Sequence, residues 1–157
     1  MDLPQHDDLF KKLGVSINGR GAVVDNVGFF VVSAVPFSPL HTPDEISEKE
    51  ISRRIYAGYA SVKQFPLKVF VLHAPPYGTR IDIIHSGIHV GSTAVREFIE
   101  VEQPDIFVRG HVHEGQGEDR IEKSRIVNCG SASNGYYVIV KLAPDIKMIL
   151  RQRHGKW

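Results

Sequence analysis

Several features that place a protein in a broad class are scarce or absent in this chain. Cys129 is the single cysteine among 157 residues, so no disulfide can form within the chain, and we expect a reducing, cytoplasmic location. The 19 basic and 18 acidic residues leave a formal charge of +1, which disfavours a long nucleic acid or an anionic membrane as a partner. No apolar run approaches the roughly 20 residues that cross a bilayer, and Met1 to Asp8 are too polar for a signal peptide. The composition, 42% hydrophobic and 24% charged, is that of one globular domain over residues 1–157.

Hydrophobic periodicity predicts strands that alternate with helices. We expect strands at 22–24, 28–34, 67–72, 105–109, 124–128, 135–142 and 146–151, and helices at 5–13, from Ser47 to Pro66 and from Ser92 to Pro104. Ser47 with Glu50 three residues later forms a capping box, and Asp25-Asn26 is typical of a tight hairpin turn. The last three strands are expected to form an antiparallel meander. A charged hairpin turn between Gly115 and Gly117 is expected before them and would account for Glu114, Glu118 and Asp119 without a function. The order predicts an α/β fold, a layered mixed sheet with flanking helices.

Three histidines stand where predicted strands end. His73 follows the apolar run 67–72, and His111 and His113 follow the strand at 105–109. A helix separates the two strands, so they can be neighbours in a sheet, and histidines two apart in an extended segment share one face. Three imidazoles would suit Zn, Mn, Fe or Ni. Taken singly, each is more simply an ordinary surface histidine; their combination after two strands favours a metal site.

Four segments carry a resemblance to a known family. They are His73-Ala-Pro-Pro, the helical segment from Gly91 to Ile99, Gly110-His-Val-His and the loop Asn128-Cys-Gly-Ser. Together they resemble the C-terminal half of a calcineurin-like metallophosphoesterase, and more narrowly the small bacterial and archaeal phosphoesterases of that superfamily. The resemblance extends over nearly the whole chain and implies the second half of a four-layer sandwich. Cys129 stands where the family's loop usually has proline, a departure that we expect to be tolerated.

The resemblance implies an activity and a cofactor. In this family two divalent metals share a bridging aspartate and activate a hydroxide, which hydrolyses a phosphomonoester or phosphodiester. Carried over to this chain, His73 and His111 would bind one metal and His113 the other, with Mn, Fe, Ni or Zn as a dinuclear cofactor and a small phosphorylated molecule as substrate. Arg80 and His89 lie in the loop 77–90, which lines the substrate entrance in relatives, so they would contact phosphate. An ordinary solvated loop is an equally simple interpretation of these two residues.

The first three motifs of the family have no match in this sequence. These motifs are Asp-x-His, Gly-Asp-x-x-Asp and Gly-Asn-His followed by an acidic residue, and they supply the remaining ligands. If Met1-Asp2 corresponds to the end of the third motif, the domain is truncated at its N-terminus, and we expect the isolated chain to be inactive. Only one sheet would then be encoded, so we expect self-association or pairing with the missing half to cover its apolar face. The alternatives are a non-catalytic scaffold or binding protein on the same fold and a truncated product without a role of its own.

Overall fold

A mixed six-stranded sheet and two helices form the body of the protein. The computed structural model describes residues 9–38, 45–110, 115–143 and 145–153. The strands are β1 (Gly21–Val24), β2 (Val27–Val32), β3 (Val35–Pro36), β4 (Glu45–Ile46), β5 (Leu67–Leu72), β6 (Ile106–Arg109), β7 (Gly117–Ile121), β8 (Ser124–Asn128), β9 (Tyr136–Lys141) and β10 (Lys147–Gln152). The helices are α1 (Glu48–Tyr59) and α2 (Thr93–Glu102), with a 3₁₀ turn at Ala132–Asn134. Within the described ranges, no helix is both long and apolar enough to cross a membrane.

The sheet has the strand order β1-β2-β5-β6-β8-β7. Its four central strands, β2, β5, β6 and β8, run parallel, and the two edge strands pair antiparallel to their neighbours. The turn between β1 and β2 contains Asp25 and Asn26, both with positive φ, as a tight hairpin of this kind requires. The predicted mixed α/β sheet is confirmed, and so is the prediction that the strands before the two histidine segments are neighbours.

Both helices begin where the sequence predicts. Ser47 and Ser92 are their N-caps, and each hydroxyl accepts a hydrogen bond from the amide three residues on. The Glu48 carboxylate, in the first turn of α1, accepts hydrogen bonds from the amides of Thr93 and Ala94 in the first turn of α2. A negative charge at the positive end of α2 is favourable, so this contact holds the two helices together.

The helices cover one face of the sheet and enclose an aromatic core. Phe30, Phe70 and Phe107 occupy equivalent register positions on β2, β5 and β6, with ring centroids 4.5 and 5.4 Å apart. Phe98 of α2 packs on Phe70 at 4.9 Å. The inner faces of the two helices are buried in this core through Ile51, Ile55, Ala94, Val95, Phe98 and Ile99. Val62, just beyond the end of α1, is buried with them, and Tyr59 is half-buried against the same core. Burial of these apolar surfaces is the main term that stabilises the α/β layer.

The opposite face of the sheet packs against the β9–β10 hairpin. Val69, Ile106 and Val127, from the three neighbouring parallel strands, are buried together with Met148 of β10. Half-buried apolar side chains of the hairpin extend this second cluster. The expectation that the chain encodes a single sheet is therefore wrong, because a second, two-stranded sheet covers part of this face.

Two strands near the C-terminus differ from the prediction. β8 joins the central sheet parallel to β6 rather than opening an antiparallel meander. β7 pairs antiparallel with β8 and includes Glu118 and Asp119, which the sequence pattern assigned to a charged turn. An edge strand is stabilised by backbone hydrogen bonds along one side, so its side chains need not be apolar. The hairpin of β9 and β10 is antiparallel as predicted, although Pro144 of its turn lies outside the described residues. Residues 9–12 of the predicted first helix are helical, and its earlier part also lies outside them.

Candidate functional site

The carboxyl ends of four parallel strands meet at one edge of the sheet. The last residues of β2, β5, β6 and β8 occupy one register position: Val32, Leu72, Arg109 and Asn128. His73, Gly110 and Cys129 therefore leave adjacent strands at the same edge, which is where open α/β sheets bind ligands. His111 and His113 lie outside the described residues, so the structure places the end of their strand beside His73 but does not describe their side chains.

A buried aspartate organises the loop that follows β5. Asp82 has no exposed surface, and its carboxylate accepts hydrogen bonds from the amides of Gly78, Thr79 and Gly91 at 3.0 to 3.2 Å. These donors offset the cost of burying a charged group. Gly91 closes the loop, because a Cβ at this position would lie 2.7 Å from both the Asp82 carboxylate and the Tyr77 backbone. The loop 77–91 is therefore organised around the Asp82 carboxylate by backbone hydrogen bonds.

His89 is the side chain that connects this buried carboxylate to the surface. Its Nδ1 lies 2.7 Å from the Asp82 carboxylate, and its side chain is 36% exposed. The ring centroid lies 5.5 Å from that of Tyr77. Because a carboxylate accepts hydrogen bonds and does not donate them, Nδ1 carries a proton and Nε2 is left for another partner.

Two glycines flank positions 111–114 in the sequence, and the second of them packs against the Asp82 loop. Gly110 follows β6, and a Cβ there would meet no described heavy atom within 4 Å. Gly115 is tightly packed, since its Cβ would lie 2.5 Å from the carbonyl oxygen of Ile81. Ile81 immediately precedes Asp82 in the chain. The two described residues that flank positions 111–114 thus lie at the end of β6 and against the residue before Asp82.

A buried arginine lies beneath the same edge. Arg109 is the last residue of β6, and its side chain is almost wholly buried. Burial lowers the pKa of Arg109 to about 9, while Asp82 and Cys129 act in the opposite direction. Burial also raises the pKa of the Cys129 thiol, and the Arg109 charge opposes that shift. The thiol is consequently protonated at neutral pH and a poor nucleophile, and Asp82 and Arg109 interact within one polar site.

Arg80 joins the loop to edge strand β7. Its amide donates to the Asp119 carboxylate at 2.9 Å, and its guanidinium donates to the Glu118 carbonyl oxygen at 3.2 Å. The side chain is 80% exposed and lies 3.6 Å from the Asp119 carboxylate, so this ion pair is weak. A guanidinium has five N–H donors, so these contacts leave donors for an anion. Arg80 and His89 thus belong to the same loop, but Arg80 is held by β7 and His89 by Asp82.

Of the three predicted metal ligands, His73 is the one that lies among the described residues. Across the described ranges, no group of three or more His, Cys, Asp or Glu side chains is placed to hold a metal ion. The donor chemistry fits, because imidazole nitrogen is a good ligand for Zn, Mn, Fe and Ni. We assign no coordination geometry, and metal binding by His73, His111 and His113 stays a prediction.

Comparison with known proteins identifies a family and a relative of known sequence. A family model described as metallophosphoesterase, calcineurin superfamily, matches residues 58–148. The uncharacterized protein MJ1162 of Methanocaldococcus jannaschii is 31% identical over 125 residues, which are 77% of this chain and 56% of that protein. The chain therefore spans about half the length of this curated relative.

Two solved structures share the fold. The crystal structure of TT1561 of Thermus thermophilus aligns with a TM-score of 0.64 and 18% identity, over 96% of this chain and 68% of that one. Another crystal structure aligns with a TM-score of 0.69 and 18% identity, over 87% of this chain and 53% of its own. At this identity the likeness concerns the fold alone, and it confirms the fold expected from the sequence.

Proposed function

Because the chain belongs to the calcineurin superfamily of metallophosphoesterases, we propose that it hydrolyses a phosphomonoester or phosphodiester of a small molecule. The superfamily implies a divalent metal; a dinuclear site of Mn, Fe, Ni or Zn is our proposal for this protein. We assign His73, His111 and His113 as metal ligands, and Arg80 and His89 as contacts to the substrate phosphate. One observation carries the proposal: β5 and β6 are adjacent and end in register, so both histidine segments leave the sheet at the same edge.

The residues of the chain and the metal have separate tasks in this proposal. The metal would supply positive charge that stabilises phosphoryl oxygens and activates water. Arg80 and His89 donate hydrogen bonds to the phosphate, which are strong because the acceptor is charged. Asp82 fixes the loop that carries both residues, and such fixed donors need little reorganisation during the reaction. The nearly neutral net charge agrees with a small substrate.

Metal-dependent hydrolysis by the protein, expressed from its natural reading frame, tests this proposal. After chelation it should be inactive toward p-nitrophenyl phosphate and bis-p-nitrophenyl phosphate, and Mn²⁺, Fe²⁺, Ni²⁺ or Zn²⁺ should restore activity. His111→Ala and His113→Ala should each lower kcat/KM by at least roughly 100-fold, the upper range for groups that only support a ligand. Metal content by mass spectrometry should fall in the same variants.

The matched control is His85→Ala, an exposed histidine of the same loop to which we assign no function. This variant should keep both the wild-type activity and the wild-type metal content. A wild-type protein that hydrolyses neither ester with any of the four metals would contradict the proposal and favour the scaffold alternative. Full activity in both His111→Ala and His113→Ala would exclude these residues as ligands.

A further inference from the structure

We infer that His89 is a catalytic residue, which gives a proton to the leaving-group oxygen of the phosphoester, and that Asp82 is the residue that positions it. The inference rests on the proposed function and deepens it. It gives His89 a chemical step in addition to a contact with phosphate. It also gives a role to a buried carboxylate that the metal prediction leaves unused.

The first observation is how firmly the imidazole is held. Asp82 is completely buried and already accepts three backbone amides, so its position does not depend on His89. The imidazole adds a side-chain hydrogen bond at 2.7 Å, although it remains 36% exposed. A carboxylate that accepts the Nδ1 proton fixes both the tautomer and the plane of the ring. Nε2 is therefore a positioned nitrogen that is not committed to Asp82.

The second observation concerns charge. The imidazole lies directly against the Asp82 carboxylate, with Nδ1 and the carboxylate oxygen 2.7 Å apart. Arg109, whose side chain is buried, also interacts electrostatically with Asp82. Asp82 and Arg109 are both buried, so His89 is the member of these three residues that reaches the surface. A surface imidazole held in one orientation by a carboxylate is suited to proton transfer.

The third observation places the pair next to the proposed reaction centre. Gly115, the first described residue after His113, packs on the Ile81 carbonyl, and Ile81 directly precedes Asp82. Gly91, two residues after His89, packs on the Asp82 carboxylate. Arg109, two residues before His111, interacts electrostatically with Asp82. Described residues on both sides of the predicted ligands His111 and His113 therefore lie close to the loop that carries His89.

The proposed step balances in atoms and charge. Water loses one proton to solvent, and the resulting hydroxide forms the new P–O bond. The P–O bond to the leaving group breaks, and its electron pair stays on the ester oxygen. That oxygen takes the Nε2 proton of His89 and departs as an alcohol. The ring is left neutral, with Nδ1–H still donated to Asp82, and Nε2 regains a proton from solvent.

The dependence of rate on the leaving group tests this role. An alkoxide needs a proton as it leaves, whereas p-nitrophenolate leaves readily without one. We expect His89→Gln to lower kcat for an ethyl phosphoester roughly 100-fold, within the usual range for a general acid. Its loss on the p-nitrophenyl counterpart should be at least about tenfold smaller. Asp82→Asn should change the ratio of the two rates in the same direction, and His85→Gln should leave both rates unchanged.

A second measurement does not depend on how well the variants fold. Long-range ¹H–¹⁵N spectra of the wild-type protein, with the ring signals assigned through the bonds from the backbone, should show a proton on Nδ1 of His89. Equal losses on the two esters would overturn the inference and leave the proposed function standing, because His89 would then be a binding residue only. A bare Nδ1 in the spectra would also overturn it. A wild-type protein that hydrolyses neither ester would overturn the proposed function itself, and this role with it.

Discussion

At the scale of single residues, the site depends on places where the backbone comes close to other atoms. Gly91 packs tightly against Asp82 and Tyr77, and Gly115 packs tightly against Ile81. A hydrogen is small enough for both contacts, whereas a methyl group would collide with backbone or with a buried carboxylate that cannot move away. The loop 77–91 is therefore held in place in part by close backbone contacts at these two glycines.

The two glycines at either end of the segment 111–114 give a matched pair of variants. We expect Gly115→Ala to lower the free energy of unfolding by about 1–3 kcal/mol, because the added Cβ would lie 2.5 Å from a backbone carbonyl oxygen. Gly110→Ala, where no described heavy atom lies within 4 Å, should unfold at the wild-type temperature. Thermal unfolding followed by circular dichroism compares the two. Equal stability of both variants would show that Gly115 is not tightly packed against Ile81.

The histidines and the two buried charged residues differ in how far the sequence reveals them. His73, His111 and His113 could be singled out because each follows an apolar run, and the end of such a run can be read directly from the sequence. Asp82 could be placed in a loop but not given its role, since its partners at 78, 79, 89 and 91 meet it only after the loop closes. Arg109 carried a signal that was missed: it lies two residues after Phe107, the spacing that puts both on the inward face of β6.

At the scale of helices and strands, the elements predicted best are those whose residues are buried together. β5 was predicted with its observed bounds because its run is apolar nearly throughout, as expected of a parallel strand covered on both faces. The starts of both helices followed from their caps, whereas α1 ends at Tyr59, before the predicted end at Pro66. β7 was missed because its sequence, Gly-Glu-Asp-Arg-Ile, lacks an apolar alternation. The parallel position of β8 was missed because strand direction in a sheet is a property of topology rather than of local pattern.

Helix α1 lies so close to the sheet that the addition of a single methyl group should push the two apart. Gly58→Ala would gain about 1 kcal/mol of helix propensity. Its Cβ, however, would lie 1.8 Å from the Phe30 ring, which is stacked on Phe70. We expect a net loss of about 2 kcal/mol in the free energy of unfolding, measured with urea. The control Ala57→Gly, at an exposed position of the same helix, should lose about 1 kcal/mol by propensity alone. A Gly58→Ala protein more stable than wild type would contradict this packing.

At the scale of the whole molecule, the candidate site lies along the carboxyl edge of the sheet. The last residues of four parallel strands lie in one line at this edge, and Gly115 packs against Ile81 in the loop 77–91. The second sheet face is partly covered by the β9–β10 hairpin. Edge strand β7 carries charged side chains, whereas edge strand β1 exposes Val23 and Val24, a composition that favours pairing with another chain. Self-association, expected from the sequence, stays a prediction.

The position of a bound metal tests the central claim most directly. Crystals of the protein soaked in Mn²⁺ should be measured for anomalous diffraction, because the signal locates the ion without reference to activity. The account predicts a peak at the carboxyl edge of β5 and β6, within bonding distance of the imidazole of His73 and of at least one of His111 and His113. A protein with no anomalous peak at this edge, or with Mn²⁺ bound only elsewhere, would contradict it.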